Sequence, residues 1–108
     1  VDPRIIAAMV NALPSDSAPI LELGAGDGAV TWALFQAGRA VTAVELDSNR
    51  VAALRRRHPR AIVVAGDMLD IRLESDHHVV SNVPFGITTP LLRHLLPQQH
   101  WQSAVLLV

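Results

Sequence analysis

The amino-acid sequence predicts an α/β fold with a mostly parallel, doubly wound sheet. Short apolar runs alternate with segments of helical length throughout the 108 residues, which is the pattern of strand–helix–strand units. The apolar runs are nearly continuous in Val, Ile, Leu and Ala, as expected for parallel strands that are covered on both faces. Since a chain of this length is the size of one domain, we expect a single domain over residues 1–108.

Capping and terminating residues define four predicted helices. Asp2 begins the first helix and Gly38 ends the second. Asp47 begins the third, and Thr89-Pro90 is expected to cap the fourth. The predicted helices cover about residues 3–12, 29–37, 48–58 and 89–96. The predicted strands cover about residues 20–23, 40–45, 61–65, 78–81 and 103–108.

Composition restricts the classes of function. Half of the residues are hydrophobic and the mean hydropathy is +0.30, so the chain can bury a core. The net charge of −1 gives no overall attraction to nucleic acid. We interpret the cluster Arg55-Arg56-Arg57 with Arg60 as the solvated end of a helix rather than a phosphate contact. The absence of cysteine excludes disulfides and thiolate-bound metals, and no metal site is predicted.

The start of the chain lacks the charged and apolar regions of a signal peptide. No apolar run approaches the length needed to span a membrane. We therefore expect a soluble, cytoplasmic protein.

Glycine or polar residues lie at or just after the carboxyl ends of three of the predicted strands. The turn Gly24-x-Gly26-x-Gly28 would let the backbone approach a ligand closely. Glu45 could accept hydrogen bonds from both hydroxyls of a ribose, and Asp67 could accept one from an adenine amine, with Met68 beside the ring. Ligands bind beyond the carboxyl ends of parallel strands, so these residues predict one nucleoside site. Each also has a simpler interpretation: a tight turn, a solvated acid or a surface turn.

A dinucleotide-binding domain is a serious alternative. Gly24-x-Gly26-x-x-Ala29 fits the relaxed fingerprint for NAD, and Glu45 lies about where a ribose-binding acid is expected. Glu22 argues against this reading, because a carboxylate just before the glycines suits a ligand with an ammonium group better than a pyrophosphate. The dinucleotide reading also gives no role to the tetrad Asn82-Val83-Pro84-Phe85.

That tetrad, at the end of the fourth strand, could hold a planar amine for alkylation. The Asn82 side-chain oxygen and the Val83 carbonyl can accept both amine protons, Pro84 stiffens the turn, and Phe85 can stack on a base. An ordinary turn is the alternative, since Asn and Pro are common turn residues. The preceding histidines at 77 and 78 lie at the opposite end of the strand, so we interpret them as structural or solvated.

In this order, the motifs resemble those of the rRNA adenine-N6 methyltransferases, which include the erythromycin-resistance type and the small-subunit dimethyltransferases. The similarity covers nearly the whole chain, and the last motif is the most specific to that family. The matching segments are Leu21-Glu22-Leu23-Gly24-Ala25-Gly26-Asp27-Gly28, Val44-Glu45-Leu46-Asp47, Gly66-Asp67-Met68, and Asn82-Val83-Pro84-Phe85-Gly86-Ile87-Thr88-Thr89-Pro90-Leu91-Leu92.

The resemblance implies a Rossmann-like methyltransferase fold with S-adenosylmethionine as the methyl donor and a flipped-out adenine of rRNA as the acceptor. It implies catalytic roles for Asn82, Val83, Pro84 and Phe85. It implies cofactor contacts from Glu22, Gly24, Ala25, Gly26, Glu45, Leu46, Asp67, Met68 and Asn82. Phe rather than Tyr at position 85 favours the resistance type acting on 23S rRNA over the housekeeping 16S enzyme. A non-catalytic relative, of the kind represented by mitochondrial transcription factor B, stays open.

Two departures from the family pattern predict a fragment of a longer, monomeric protein. The family has a Gln-Asn-Phe segment before the first helix, and this chain begins after that point. The family also continues into two more strands and a helical RNA-binding domain. By analogy, the strand order would be third, second, first, fourth, fifth, with the sheet truncated after the fifth strand and an apolar edge at residues 104–108.

Overall fold

Five parallel strands form one sheet in this computed structural model, which describes residues 2–73 and 76–107. The strands are β1 (Ile20–Leu23), β2 (Val41–Glu45), β3 (Ile62–Ala65), β4 (His77–Asn82) and β5 (Trp101–Leu107). Their order is β3-β2-β1-β4-β5, and all four pairings are parallel. The predicted strand order and doubly wound class are confirmed.

Four helices connect or precede these strands: α1 (Pro3–Asn11), α2 (Ala29–Gln36), α3 (Ser48–Arg57) and α4 (Thr88–Leu95). Two predicted caps are present. The Asp2 carboxylate accepts a hydrogen bond from the backbone N–H of Arg4 at 2.8 Å, and that of Asp47 accepts from the N–H groups of two residues in the first turn of α3. Each therefore satisfies donors that have no partner within the helix.

The predicted cap of α4 at Thr89-Pro90 is wrong. The helix begins at Thr88, Ile87 precedes it, and no side chain caps it. Pro90 is accommodated as the third residue of the helix, because the N–H groups of the first turn have no intrahelical acceptor to lose.

Strand β5 begins two residues earlier than predicted, at Trp101. Trp101 pairs with His77, and Ser103 pairs with His78, so β5 has one extra residue there. Such a bulge interrupts the alternation of side chains between faces. The sequence pattern therefore gave no clear start for this strand, and its predicted last residue lies outside the described residues.

Side chains alternate between two hydrophobic clusters, one on each face of the sheet. Helices α1, α2 and α3 cover one face, where Ile20, Ala43 and Val80 are buried. Helix α4 covers the other face, where Leu21, Val44 and Val79 are buried. Burial on both faces explains the nearly continuous apolar runs. None of the helices within the described ranges is both long and apolar enough to cross a membrane.

Candidate functional site

The carboxyl ends of the strands meet at one edge of the sheet. Leu23 at the end of β1 is in register with Val44 of β2 and Ser81 of β4, and Glu45 is in register with Ala65 of β3. The chain leaves β1 towards β2 and β3, then returns to β4 on the other side of β1. The carboxyl edge beside β1 is therefore a topological switch point, where open α/β sheets bind ligands.

A cleft of about 360 Å³ lies at this edge, within the size range of small-molecule sites. Its lining comes from the end of β2, the segments after β1, β3 and β4, and α3. The lining residues are Gly24, Gly26, Val44, Glu45, Leu46, Arg50, Gly66, Asp67, Met68, Leu69, Pro84 and Ile87. Seven residues predicted from the sequence are therefore brought together: Gly24, Gly26, Glu45, Leu46, Asp67, Met68 and Pro84.

Five predicted residues do not line this cleft: Glu22, Ala25, Asn82, Val83 and Phe85. Five lining residues were not predicted as site residues: Val44, Arg50, Gly66, Leu69 and Ile87. Arg50 lies in the first turn of α3, and its guanidinium approaches the position that a Cβ on Gly26 would take, at 3.9 Å. Only the packing of α3 against the glycine turn brings this arginine to the cleft, so no local sequence signal identifies it.

The turn after β1 requires glycine for two reasons. Gly24 has a φ of +71°, a left-handed conformation that side chains disfavour. A Cβ at Gly24 would also lie 2.7 Å from the terminal methyl of Met68. Glycine therefore keeps the turn after β1 close to the segment after β3, which forms the other wall of the cleft.

Glu45 joins two walls of the cleft. One carboxylate oxygen accepts a hydrogen bond from the Gly26 N–H at 2.7 Å, and the other accepts from the Asp47 N–H at 2.8 Å. The side chain is buried, with 7% of its surface exposed. Because each carboxylate oxygen has more than one lone pair, these bonds leave acceptor capacity for a ligand.

Glu22 lies behind the glycine turn on the face covered by α2, and 3% of its surface is exposed. The Thr31 hydroxyl of α2 donates a short hydrogen bond to it. Burial disfavours the charged carboxylate and is the main reason why the pKa of Glu22 rises to about 7. The hydrogen bond from Thr31 lowers this pKa, whereas the negative charges of Asp27 and Glu45 raise it further. Glu22 is therefore a titratable group near neutral pH beside the cleft.

Asp67 begins a turn after β3. Its carboxylate accepts a hydrogen bond from the Leu69 N–H at 2.9 Å, and its own carbonyl accepts from Asp70 at 3.0 Å. These bonds hold Asp67 and Met68 at the cleft in a fixed turn.

The tetrad extends from the end of β4 into a tight turn. Asn82 is the last residue of the strand, and the buried Val83 donates its N–H to the Leu107 carbonyl at 2.8 Å. The Pro84 carbonyl then accepts from the Ile87 N–H at 3.1 Å, with Gly86 at a φ of +81°. Glycine at the third position is typical of a type II turn. Phe85, at the second position, has its side chain fully exposed.

The predicted structural role of His78 is confirmed. Its ring is buried, with the Ser103 hydroxyl 2.6 Å from Nδ1 and the Asp16 carboxylate 2.9 Å from Nε2. His78 is in register with Ile20, the first residue of β1, so it lies at the sheet edge opposite the cleft. The bond to His78 is the largest cause that holds the pKa of Asp16 below its usual value.

The strand order, the helices on both faces and the cleft across the carboxyl edge are those of a doubly wound nucleoside-binding fold, and the methyltransferases described below share it. The family model described as ribosomal RNA adenine dimethylase matches residues 1–108. The chain therefore belongs to the ribosomal RNA adenine dimethylase family.

Two curated relatives represent two branches of this family. The chain is 51% identical to the mycinamicin-resistance protein MyrB of Micromonospora griseorubida, over 100% of the chain and 36% of that protein. It is 39% identical to the ribosomal RNA small subunit methyltransferase A of Methylococcus capsulatus, over 90% of the chain and 41% of that protein. The chain thus spans less than half the length of these relatives.

Two solved structures share the fold. The 23S rRNA methyltransferase ErmE superposes with a TM-score of 0.82 and 30% identity, over 96% of this chain and 45% of ErmE. The glycopeptide N-methyltransferase MtfA, solved in complex with S-adenosyl-L-methionine, gives a TM-score of 0.75 and 26% identity, over 91% of this chain and 49% of MtfA.

Proposed function

We propose that the protein containing this chain transfers a methyl group from S-adenosylmethionine to the N6 amine of an adenine in 23S rRNA. The observation that carries the proposal is the single cleft that joins the glycine turn, Glu45, Asp67 and Met68 to Pro84 of the tetrad. A nucleoside site next to an amine-holding turn is what this transfer needs. The 51% identity to a mycinamicin-resistance protein supports the resistance-type substrate.

The residues of the cleft fit the proposed cofactor. The glycine turn offers close backbone approach, Glu45 is the acceptor for the ribose hydroxyls, and Asp67 is the acceptor for the adenine amine, beside Met68. Glu22, Ala25, Leu46 and Asn82 complete the proposed cofactor set, with Glu22 supplying negative charge towards the ammonium group. When bound, S-adenosylmethionine supplies an electrophilic methyl group.

The tetrad is the proposed acceptor site. The Asn82 side-chain oxygen and the Val83 carbonyl accept hydrogen bonds from the two N–H groups of the adenine amine, which favours a pyramidal nitrogen with its lone pair available. Phe85 is fully exposed at the tip of its turn, where it can stack on a flipped-out base and offset part of the unstacking cost. Orientation supplies much of the acceleration, so no nucleophile or metal is required. The intact protein acts as a monomer in this proposal.

Methyl transfer by tetrad variants tests the proposal. In the intact protein, Asn82→Ala should lose most transfer of tritiated methyl groups to 23S rRNA, while calorimetry shows a much smaller loss of cofactor affinity. Phe85→Ala should lose more activity than Phe85→Tyr, because a tyrosine ring still stacks. Full activity in both alanine variants would remove the tetrad from the acceptor site.

A housekeeping 16S rRNA adenine dimethyltransferase is the second candidate, supported by the 39% identity to a small-subunit methyltransferase. Offering both rRNAs to the intact protein separates the two, since methyl groups would enter 16S rather than 23S rRNA. Binding of S-adenosylmethionine without transfer to either rRNA would instead support a non-catalytic relative. Binding of NADH but not S-adenosylmethionine would support a dinucleotide-binding domain.

A further inference from the structure

A second pocket, of about 350 Å³, lies between α2 and the end of α3, outside the cleft. Its lining includes the aromatic rings of Trp32, Phe35 and His58 and the side chains of Arg57 and Arg60. No carboxylate is among the residues that line it. We call it the aromatic–arginine pocket.

The three rings have different surroundings. The rings of Phe35 and His58 stack with centroids 5.7 Å apart, and His58 is buried. Trp32 lies 5.9 Å from the His58 ring, yet 53% of its surface is exposed. Core packing explains the buried histidine. It does not explain a tryptophan that leaves half of its surface in water at the mouth of a pocket.

Positive charge is concentrated in the segment formed by α3 and the residues just after it, two of whose arginines line this pocket. Five of the nine basic residues lie within 50–60, and residues 48–66 contain no Asp or Glu, although the whole chain has a net charge of −1. Arg55 donates to the Val63 carbonyl at 2.9 Å, whereas Arg57 and Arg60 line the pocket. The local field there therefore attracts anions even though the protein as a whole does not.

Helix α3 connects the pocket to the cleft. Arg50 lines the cleft and Arg57 lines the pocket. Seven residues separate them, which is two turns and about 10 Å along one face of the helix. The pocket therefore lies within the length of a few nucleotides from the cleft.

We propose that the aromatic–arginine pocket binds an unpaired nucleotide of the RNA substrate, with its base against Trp32 and its phosphate between Arg57 and Arg60. Single-stranded RNA is recognised by stacking on aromatic rings together with arginine contacts to the backbone, and the pocket offers both. The identity of the bound molecule rests on the proposed function, in which the substrate is an RNA. The arginines at 57 and 60 are then phosphate contacts rather than only the solvated end of a helix.

RNA binding by matched variants of the intact protein tests this inference. The probe is a fluorescein-labelled single-stranded RNA of about ten nucleotides. Fluorescence anisotropy at several salt concentrations measures the affinity of the protein for this RNA. Trp32→Ala should weaken binding about tenfold, the effect of one lost stacking contact, and Trp32→Phe should recover most of it. Arg57→Gln should reduce the slope of log affinity against log salt by about 0.7, the value for one phosphate contact on a single strand.

Arg4→Gln is the charge-matched control. Arg4 is exposed on α1 and pairs with Asp2, so the variant loses the same charge away from the pocket and should keep the original affinity and slope. Thermal unfolding followed by circular dichroism checks that each variant is folded. Affinities and salt slopes of Trp32→Ala and Arg57→Gln equal to those of Arg4→Gln would overturn the inference.

The proposed function can fail separately. If the original protein methylates 23S rRNA and the pocket variants bind RNA normally, only the pocket proposal is wrong. If RNA binding depends on Trp32 and no methyl group is transferred, the pocket proposal stands and the proposed function is wrong.

Discussion

Glu22 is an acidic side chain held in the interior between β1 and α2, where burial raises its pKa to about 7. The folded state therefore binds the Glu22 proton more tightly than the unfolded state, whose carboxyl pKa is 4.5. The contribution of this group to stability is fully present below pH 4.5 and is lost as the pH rises through about 7. The ionised form that suits an ammonium ligand is thus the form that destabilises the fold.

We predict that Glu22→Gln increases the free energy of unfolding at pH 8 by about 1–3 kcal/mol, since the buried charge is removed. The gain should disappear near pH 4, where both side chains are neutral. Urea denaturation across this pH range measures the difference. Thr31→Val is the comparison: it removes the hydroxyl that favours the carboxylate, so the loss of stability should still begin near pH 4.5 but continue to a higher pH. Parallel pH profiles for Glu22→Gln and the original protein would contradict the prediction.

Glu45 is the second acidic residue for which the structure gives a testable role. We predict that Glu45→Ala weakens S-adenosylmethionine binding by about 1.5–3 kcal/mol, the value of hydrogen bonds to a charged group. The variant also leaves the N–H groups of Gly26 and Asp47 without their acceptor. Titration calorimetry on the intact protein measures the loss. Asp70→Ala, which changes an exposed acid of the nearby turn, is the control, and equal affinities in the two variants would exclude Glu45 from the site.

At the scale of elements, α2 and α3 meet through the glycine that precedes α2. Gly28 has a φ of +90°, and a Cβ there would lie 2.9 Å from a Leu54 methyl and 3.2 Å from the His58 ring. Gly38, which follows α2, has a similar φ of +78°, but no atom of the described residues lies within 4 Å of its Cβ position. The two positions share backbone strain and differ in packing.

We predict that Gly38→Ala costs about 1 kcal/mol of stability, from left-handed strain alone. Gly28→Ala should cost about 1–3 kcal/mol more, because overpacking is added to the same strain. Chemical denaturation of both variants measures the difference directly. Equal losses would mean that α2 and α3 move apart at little cost.

Most helices and strands could be predicted from short sequence motifs, because the residues that begin and end a helix act on their near neighbours in the chain. Asp2, Asp47 and Gly38 were identified from sequence for this reason, and β1 was predicted at its observed bounds. The start of α4 was missed because its first turn has no side-chain cap. The contribution of Arg50 to the cleft and the pocket around Trp32 were missed because both depend on how α3 packs against its neighbours.

At the scale of the whole molecule, the strand order followed from the family resemblance, since sequence periodicity does not determine which strands are neighbours. This order puts β5 at one edge of the described sheet, where it pairs only with β4. An apolar edge strand with an unpaired backbone can pair with another chain. We predict that residues 1–108, prepared alone, self-associate, as measured by light scattering during size-exclusion chromatography.

Proline variants of β5 test the edge specifically. The Leu107 carbonyl accepts a hydrogen bond from the Val83 N–H, which follows β4, so the backbone groups of Leu107 face β4. Backbone groups alternate in direction along a strand. Val105 therefore also faces β4, whereas the N–H of Ala104 points away from it. Ala104→Pro should reduce association and keep the fold, whereas Val105→Pro should break the β4 pairing and lower stability. Unchanged association in a folded Ala104→Pro variant would show that this edge is not responsible.

The hydrogen bonds that Glu45 makes to Gly26 and Asp47 have a kinetic consequence. Since the protein itself ties these two turns together, a ligand entering the cleft does not have to order them, and less of its binding free energy is lost to ordering loops. Association of the cofactor should then be a single fast step. Differences in affinity among cofactor analogues should come from their dissociation rates. In the proposed reaction, the spent cofactor would leave a cleft that already has the shape needed by the next cofactor molecule.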